Sequence, residues 1–311
     1  MTLVKIEQKG GYKVMLKDIS IIGVPMDLGQ SRRGVDMGPS AIRYAEVIKR
    51  LERLDYHVQD LGDIPIPRHK QVHDGRLLNV DVVAEVNETL AQMVDQEIQK
   101  QRFPLILGGD HSIAIGSLAG IAKHYENLGV IWYDAHGDLN TDQTSPSGNI
   151  HGMPLAASLG LGHEKLTKIY GYQPKVKPEN IVMIGIRDLD PPEKDLIREL
   201  NIRVYTMHEI DRLGMPTVME DAIDYLKQRT DGVHLSLDLD GLDPSEAPGV
   251  GTPVIGGITY RESHLAMEML AEADMITSAE FVEVNPILDE RNKTAQVAVA
   301  LMGSLFGEKL K

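Results

Sequence analysis

In the stretch Gly129-Val-Ile-Trp-Tyr-Asp-Ala-His-Gly-Asp-Leu-Asn140, an apolar run from Val130 to Tyr133 turns polar, and Asp134, His136 and Asp138 fall at every second position. In an extended chain that period puts all three side chains on one face. Two carboxylates and an imidazole converging there form a set of oxygen and nitrogen donors suited to a metal ion. A single triplet of this kind is equally a strand end with solvated polar residues. A second stretch, His234-Leu-Ser-Leu-Asp-Leu-Asp240, alternates again, with His234, Ser236, Asp238 and Asp240 on one face and three leucines on the other. Ionised aspartates are rarely buried unpaired, so two strands ending in aligned carboxylates point to a shared cation cluster. His111 is the natural third contributor. It follows the short apolar run Phe103 to Leu107 and the turn Gly108-Gly-Asp-His-Ser112, and strand ends in an open parallel sheet gather along one edge. Ser112 beside it is a helix-cap candidate.

Six donors, His111, Asp134, His136, Asp138, Asp238 and Asp240, exceed what one catalytic ion with open positions needs. Two divalent ions about 3.5–4 Å apart, bridged by carboxylates, use them well. The four aspartate charges balance two dications, and a bridging hydroxide then leaves a net negative charge that favours a cationic substrate. Ligation without thiolate points to Mn²⁺ or Mg²⁺, with Co²⁺, Ni²⁺ and Zn²⁺ still open. A calcium loop starting at Asp238 fails, because its twelfth position is Gly249 where a Glu is required.

The elements that must carry these groups are strand-like runs: Asp18 to Val24, Tyr56 to Leu61, Phe103 to Leu107, Val130 to Tyr133, Ile181 to Ile186, Ile202 to Tyr205, Gly232 to Asp240 and Met275 to Val284. Helical periods lie between them, from Gly38 to Leu54 and from Leu77 to Gln101 among others. Alternating strands and helices with continuously apolar strands predict an α/β fold: a three-layer α/β/α arrangement on an open, mainly parallel sheet of about eight strands. A closed eight-fold barrel is the alternative. Residues 1–17 read as a loose N-terminal extension and residues 18–311 as one domain. The net charge of −14 argues against nucleic-acid and anionic-membrane partners. The absence of cysteine excludes disulfides, thiolate metal sites and cysteine nucleophiles. With no membrane span and no apolar signal core, a cytoplasmic protein is expected.

Gly-Gly-Asp-His-Ser, Asp-Ala-His-Gly-Asp, Ser-Leu-Asp-Leu-Asp-Gly-Leu-Asp-Pro and Glu283-Val-Asn-Pro286 occur in this order. Together they resemble the ureohydrolase superfamily, and within it the bacterial, Bacillus-type arginase family. Agmatinases share the first and third motifs. Ser147-Gly-Asn-Ile-His-Gly152, Asn140 upstream and Gly251-Thr-Pro-Val254 downstream resemble arginases, whose substrate carries an α-amino acid head. Gly137 departs from the pattern, since many arginases have Thr there.

The resemblance implies the three-layer fold, two Mn²⁺ ions per subunit and a homo-oligomer, trimer or hexamer. It implies that Asp134 and Asp238 bridge, with His111 and Asp138 on one ion and His136 and Asp240 on the other. The implied reaction is hydrolysis of L-arginine to L-ornithine and urea by a hydroxide bridging the two ions. The alternative is an amidinohydrolase of agmatine or another guanidino compound, and a third reading is a ligand-binding regulator with an idle site. Glu283 suits pairing with the guanidinium, Asp138 proton transfer to the departing amine, and His151 proton relay to solvent. The α-carboxylate falls to Asn140, Ser147 and Asn149. The α-ammonium falls to Asp190 with Glu193, for which a helix-start role is the alternative. Thr252 is expected to line the site or to shape a turn.

Overall fold

The apolar runs become the eight strands of one sheet. The structure, a computed structural model, describes residues 17–67, 73–74 and 76–309, so the expected loose lead, except for Lys17, lies outside the described residues. In chain order the strands are β1 (Asp18–Val24), β2 (His57–Asp63), β3 (Phe103–Gly108), β4 (Leu128–Tyr133), β5 (Ile181–Ile186), β6 (Arg203–Thr206), β7 (Gly232–Asp238) and β8 (Ile276–Val282). They lie side by side as β2-β1-β3-β8-β7-β4-β5-β6, every pair parallel. Among the described residues β2 and β6 are open edges, so the sheet is open and the barrel alternative falls away.

Every residue of β3, β4, β5 and β7 is buried. A parallel strand covered on both faces requires this. Successive side chains enter opposite cores. Ile131 and Tyr133 pack with Met219, Leu226 and Leu301 from helices on one face, while Val130 and Trp132 pack with Val83, Leu90 and Leu118 from helices on the other.

Two helices differ from the periodicity. The run from Gly38 to Leu54 forms two helices, Gly38–Tyr44 and Val47–Glu52, because Glu46 between them takes a left-handed conformation at φ 67°. The long helix begins at Val80 rather than Leu77 and runs to Gln99, after Asn79 at φ 58°. Leu77 and Leu78 pair instead with residues 73–74 in a short hairpin.

The register positions the chemistry. Tyr133 pairs with Leu237, Leu237 with Phe281, and Phe281 with Leu107. The four central strands β3, β8, β7 and β4 therefore finish level, and whatever follows each of them emerges along the same carboxyl edge.

One polar network in the helix layer yields a stability prediction. Asp95, 4% exposed on the helix Val80–Gln99, accepts from Lys123 at 2.9 Å, Gln99 at 2.7 Å and Tyr170, and His124 Nε2 lies 2.7 Å away. Burial raises its pKa, but the donors prevail and bring it down to about 2. A carboxyl depressed on folding contributes stability that is present above its unfolded pKa near 4 and lost as pH falls towards 2. Asp95→Asn should therefore cost about 2 kcal/mol at neutral pH and little near pH 2. Urea unfolding at the two pH values measures the difference, and equal losses at both would contradict the assignment.

Candidate metal centre

The six expected donors meet at the edge where the central strands end. Strand alternation is not what brings them together. β4 stops at Tyr133, and Asp134 to Asp138 form an irregular segment in which His136 makes an isolated bridge to Asp188 and Asp138 sits at φ 52°. β7 ends at Asp238, and Leu239–Gly241 make a 3₁₀ turn. The physical reason is local. Each aspartate just past a strand uses one oxygen to hold a nearby amide and leaves the other free. Asp134 Oδ1 accepts from His136 N at 2.7 Å and Asp238 Oδ1 from Asp240 N at 2.7 Å.

The freed oxygens of Asp134 and Asp238 converge on the imidazole of His111. His111 Nδ1 lies 3.1 Å from Asp134 Oδ2, 3.0 Å from Asp138 Oδ2 and 3.2 Å from Asp238 Oδ2. His136 Nδ1 lies 3.4 Å from Asp134 Oδ1 and 3.2 Å from Asp240 Oδ2. Two donor groups result, His111-Asp134-Asp238 and Asp134-His136-Asp240, with Asp134 common to both. His111 Nδ1 and Asp134 Oδ2 are buried yet engage no hydrogen-bond partner. A nitrogen nearly equidistant from three carboxylate oxygens, none aligned as its acceptor, has the arrangement of ligands around a common centre. This donor set fits divalent cations.

The tautomer of His111 agrees. Its Nε2 lies 2.8 Å from Ser236 Oγ, and that hydroxyl donates to Glu280 Oε1 at 2.7 Å. The hydroxyl's single proton is thereby used, so it accepts from Nε2–H, and in the neutral ring Nδ1 is the nitrogen whose lone pair is left to face a cation among the carboxylates. The ring stacks on Trp132, centroids 4.2 Å apart. Charge at the site demands cations. Burial disfavours an imidazolium at His111, but Asp134, Asp138 and Asp238 outweigh it and hold the ring well above its ordinary range. Burial, then the Asp134 charge, pushes Asp138 up to about 6.

His111 opens a 3₁₀ turn, His111–Ile113, and the cap is Asp110 rather than Ser112: Asp110 Oδ1 accepts from Ser112 N at 3.0 Å, and its Oδ2 from Gly29 N at 2.8 Å. Burial, then the Glu283 charge, moves Asp110 up to about 7. Gly109 is obligatory, because a Cβ there would stand 1.8 Å from Met26 O. Directly after β8, Glu283 is held at φ 65° with its amide donating to Gly109 O at 2.8 Å. Its Oε1 accepts from His111 N at 2.9 Å and lies 3.4 Å from His151 Nδ1. Burial opposes a charge on His151, but the Glu283 carboxylate raises its pKa. The loop bearing His151 is braced: His151 N donates to Gly29 O at 3.0 Å and Asn140 N to Gly152 O at 3.1 Å.

A cavity of about 160 Å³ opens above the cluster, lined by His111, His136, Asp138, Asn140, Ser147, Asn149, His151, Asp190, Glu193, Asp238 and Thr252 among others. Asp134, Asp240 and Glu283 are buried behind it, each against a lining residue. Thr252 Oγ1 donates to Asp240 Oδ2 at 3.0 Å. Asn140 Nδ2 donates to Asp190 Oδ2 at 2.8 Å, and Ser31 Oγ to Asn149 Oδ1 at 2.9 Å. For Glu193 the helix-start role is realised. It forms a capping box with Asp190 on the helix Pro191–Leu200, and its oxygens accept from Leu139 N at 2.9 Å and Asp190 N at 2.8 Å. Burial pushes its pKa up to about 7. At Gly137 a Cβ would stand 2.6 Å from Leu189 Cδ2 and 2.9 Å from Glu193 Oε1, so a larger residue there needs this corner to yield.

Sequence reasoning missed several supports. Glu280 was legible as a lone carboxylate inside an apolar strand, which must find partners. Arg187 had no such signal: its guanidinium donates to backbone carbonyls, those of Val254, Asp240, Leu242, Gly241 and Gly185.

A sequence model described as Arginase family matches residues 17–307. The chain is 76% identical to an arginase of Bacillus caldovelox over 298 residues, 95% of this chain and all of that protein. It is 68% identical to an arginase of Bacillus subtilis (strain 168) over 296 residues, 95% of this chain and all of that one. The native structure of the Bacillus caldovelox arginase superposes with a TM-score of 0.93 over 94% of this chain and 99% of the other, at 76% identity.

Proposed function

The chain belongs to the arginase family and hydrolyses the guanidino C–N bond of arginine, giving ornithine and urea; we propose that it does so with two Mn²⁺ ions held by His111, Asp134, His136, Asp138, Asp238 and Asp240. The observation that carries this is Asp134. One carboxylate approaches both imidazoles, with Oδ2 3.1 Å from His111 and Oδ1 3.4 Å from His136, which suits a bridge between two centres. When bound, such ions acidify a water molecule and supply the nucleophile.

The chain's own groups do the rest. Glu283 pairs with the guanidinium and orients its carbon over the cluster, a charge-assisted contact strengthened by burial. Asp138 receives the proton released in the attack and passes it to the departing amine. His151 exchanges protons with solvent, for which its partial exposure and its place on the cavity wall suit it. Asn140, Ser147 and Asn149 read the α-carboxylate, and Asp190 the α-ammonium, with Glu193 supporting Asp190 and Thr252 supporting Asp240.

We further place the protein in the cytoplasm as a homo-oligomer, a trimer or hexamer. Among the described residues no helix is long and apolar enough to cross a membrane. The test of substrate is urea release from the Mn²⁺-loaded protein. Agmatine lacks the α-carboxylate, so arginine should be favoured by about 100-fold in kcat/KM, the cost of losing charge-assisted hydrogen bonds to Asn140, Ser147 and Asn149. Comparable release from agmatine would overturn the assignment of Asn140, Ser147 and Asn149.

A further inference from the structure

The loop between β1 and the first helix carries none of the residues assigned so far, yet it reaches three segments at or behind the cavity wall. Ser31 bonds Asn149, Arg32 donates to Gly251 O, and Gln30 Nε2 donates to Glu283 Oε2 at 3.1 Å. Gln30 is 2% exposed and Glu283 fully buried. We infer that Gln30 is a positioning residue for the arginine reaction, setting the plane of the Glu283 carboxylate that receives the guanidinium. This rests on the reading of Glu283 given above.

The two oxygens of Glu283 have different claimants. Oε1 is shared by His111 N at 2.9 Å and His151 Nδ1 at 3.4 Å. Oε2 receives the Gln30 amide. Gly251 backs both groups: a Cβ there would stand 2.8 Å from Glu283 Oε2 and 3.0 Å from Gln30 Oε1, so the loop closes on the pair only because position 251 is glycine. A guanidinium is planar and binds a carboxylate best as two parallel hydrogen bonds, which requires the carboxylate plane to be fixed beforehand. Without Gln30, Oε2 is a buried acceptor lacking its donor, and the carboxylate is free to turn towards His151.

The Glu283–guanidinium pair exists in the bound substrate as well as during reaction, so its loss falls mainly on KM. The experiment compares Gln30→Met, which keeps the length and removes the donor, and Gln30→Ala with the parent enzyme, all Mn²⁺-loaded. It measures KM and kcat for arginine, Ki for ornithine, Mn²⁺ content and thermal midpoint. Ornithine has no guanidino group and does not use Glu283. Arginine KM should rise about tenfold while ornithine Ki and Mn²⁺ content stay unchanged, the thermal midpoint serving to show that both variants are folded at the assay temperature. In a Glu283→Gln background, Gln30→Met should add nothing further. An unchanged arginine KM, or parallel weakening of arginine and ornithine, would overturn the role of Gln30. An unchanged arginine KM in Glu283→Gln alone would instead overturn the reading of Glu283, and this inference with it.

Discussion

Asp134→Asn is expected to strip the protein of its metal and to lower urea production by at least about 10³-fold. Replacing a group that merely orients a ligand typically costs 10–100-fold, and Asp134 is the one residue common to both donor groups. The asparagine can keep its contact to His136 N through one oxygen. Its second position then carries an amide NH₂ where a buried oxygen without a hydrogen-bond partner now faces His111. An NH₂ there points donors at any cation, and the site loses one of four negative charges. Both effects oppose binding at both centres. The fold should survive, because β4 and its core side chains end at Tyr133. Metal analysis of the purified variant, urea release and circular dichroism test this together. A folded variant with full metal content and turnover would remove the basis for a shared centre.

Strands such as β4 and β5 were legible because a parallel strand buried on both faces can be apolar throughout. Val130 to Tyr133 and Ile181 to Ile186 announce themselves without reference to any partner. The break at Glu46 was not legible, since a left-handed residue inside a helical period leaves no mark on the hydrophobic pattern. The six cluster residues were legible for a reason only half right. They alternate, but Asp138 and Asp240 converge through an irregular segment and a 3₁₀ turn rather than through extended strands. What the sequence carried was the change from apolar run to ionisable residues at strand ends, and the level register of Leu107, Phe281, Leu237 and Tyr133 did the gathering. Gln30 lay beyond reach because its meaning comes from Glu283, far along the chain and two strands away in the sheet. The same holds for Asp110, which takes the capping role expected of Ser112 because Gly29 supplies a second donor to its other oxygen.

Glu283→Gln should cut kcat/KM for arginine by about 10²–10³-fold, the usual cost of removing one partner from a buried, hydrogen-bonded charge pair, while leaving metal content intact. The substitution is nearly isosteric. The glutamine oxygen can still accept from His111 N, which keeps that tie to the left-handed turn at φ 65°, and the new amide is accommodated once the Gln30 side chain turns its oxygen, rather than its amide, towards position 283. What changes is what the substrate meets. A guanidinium has only donors, and half of the new side chain's polar face is a donor too. The variant also reports on His151. In the parent protein the nearby carboxylate raises the His151 pKa against the effect of burial. With that charge gone, burial acts unopposed by Glu283, and the imidazole should give up its proton at a lower pH. NMR titration of His151 in the two proteins checks the direction. A fall in kcat/KM with no movement of the His151 titration would mean that the two side chains are not coupled, and that proton relay and guanidinium binding are separate functions of this pocket.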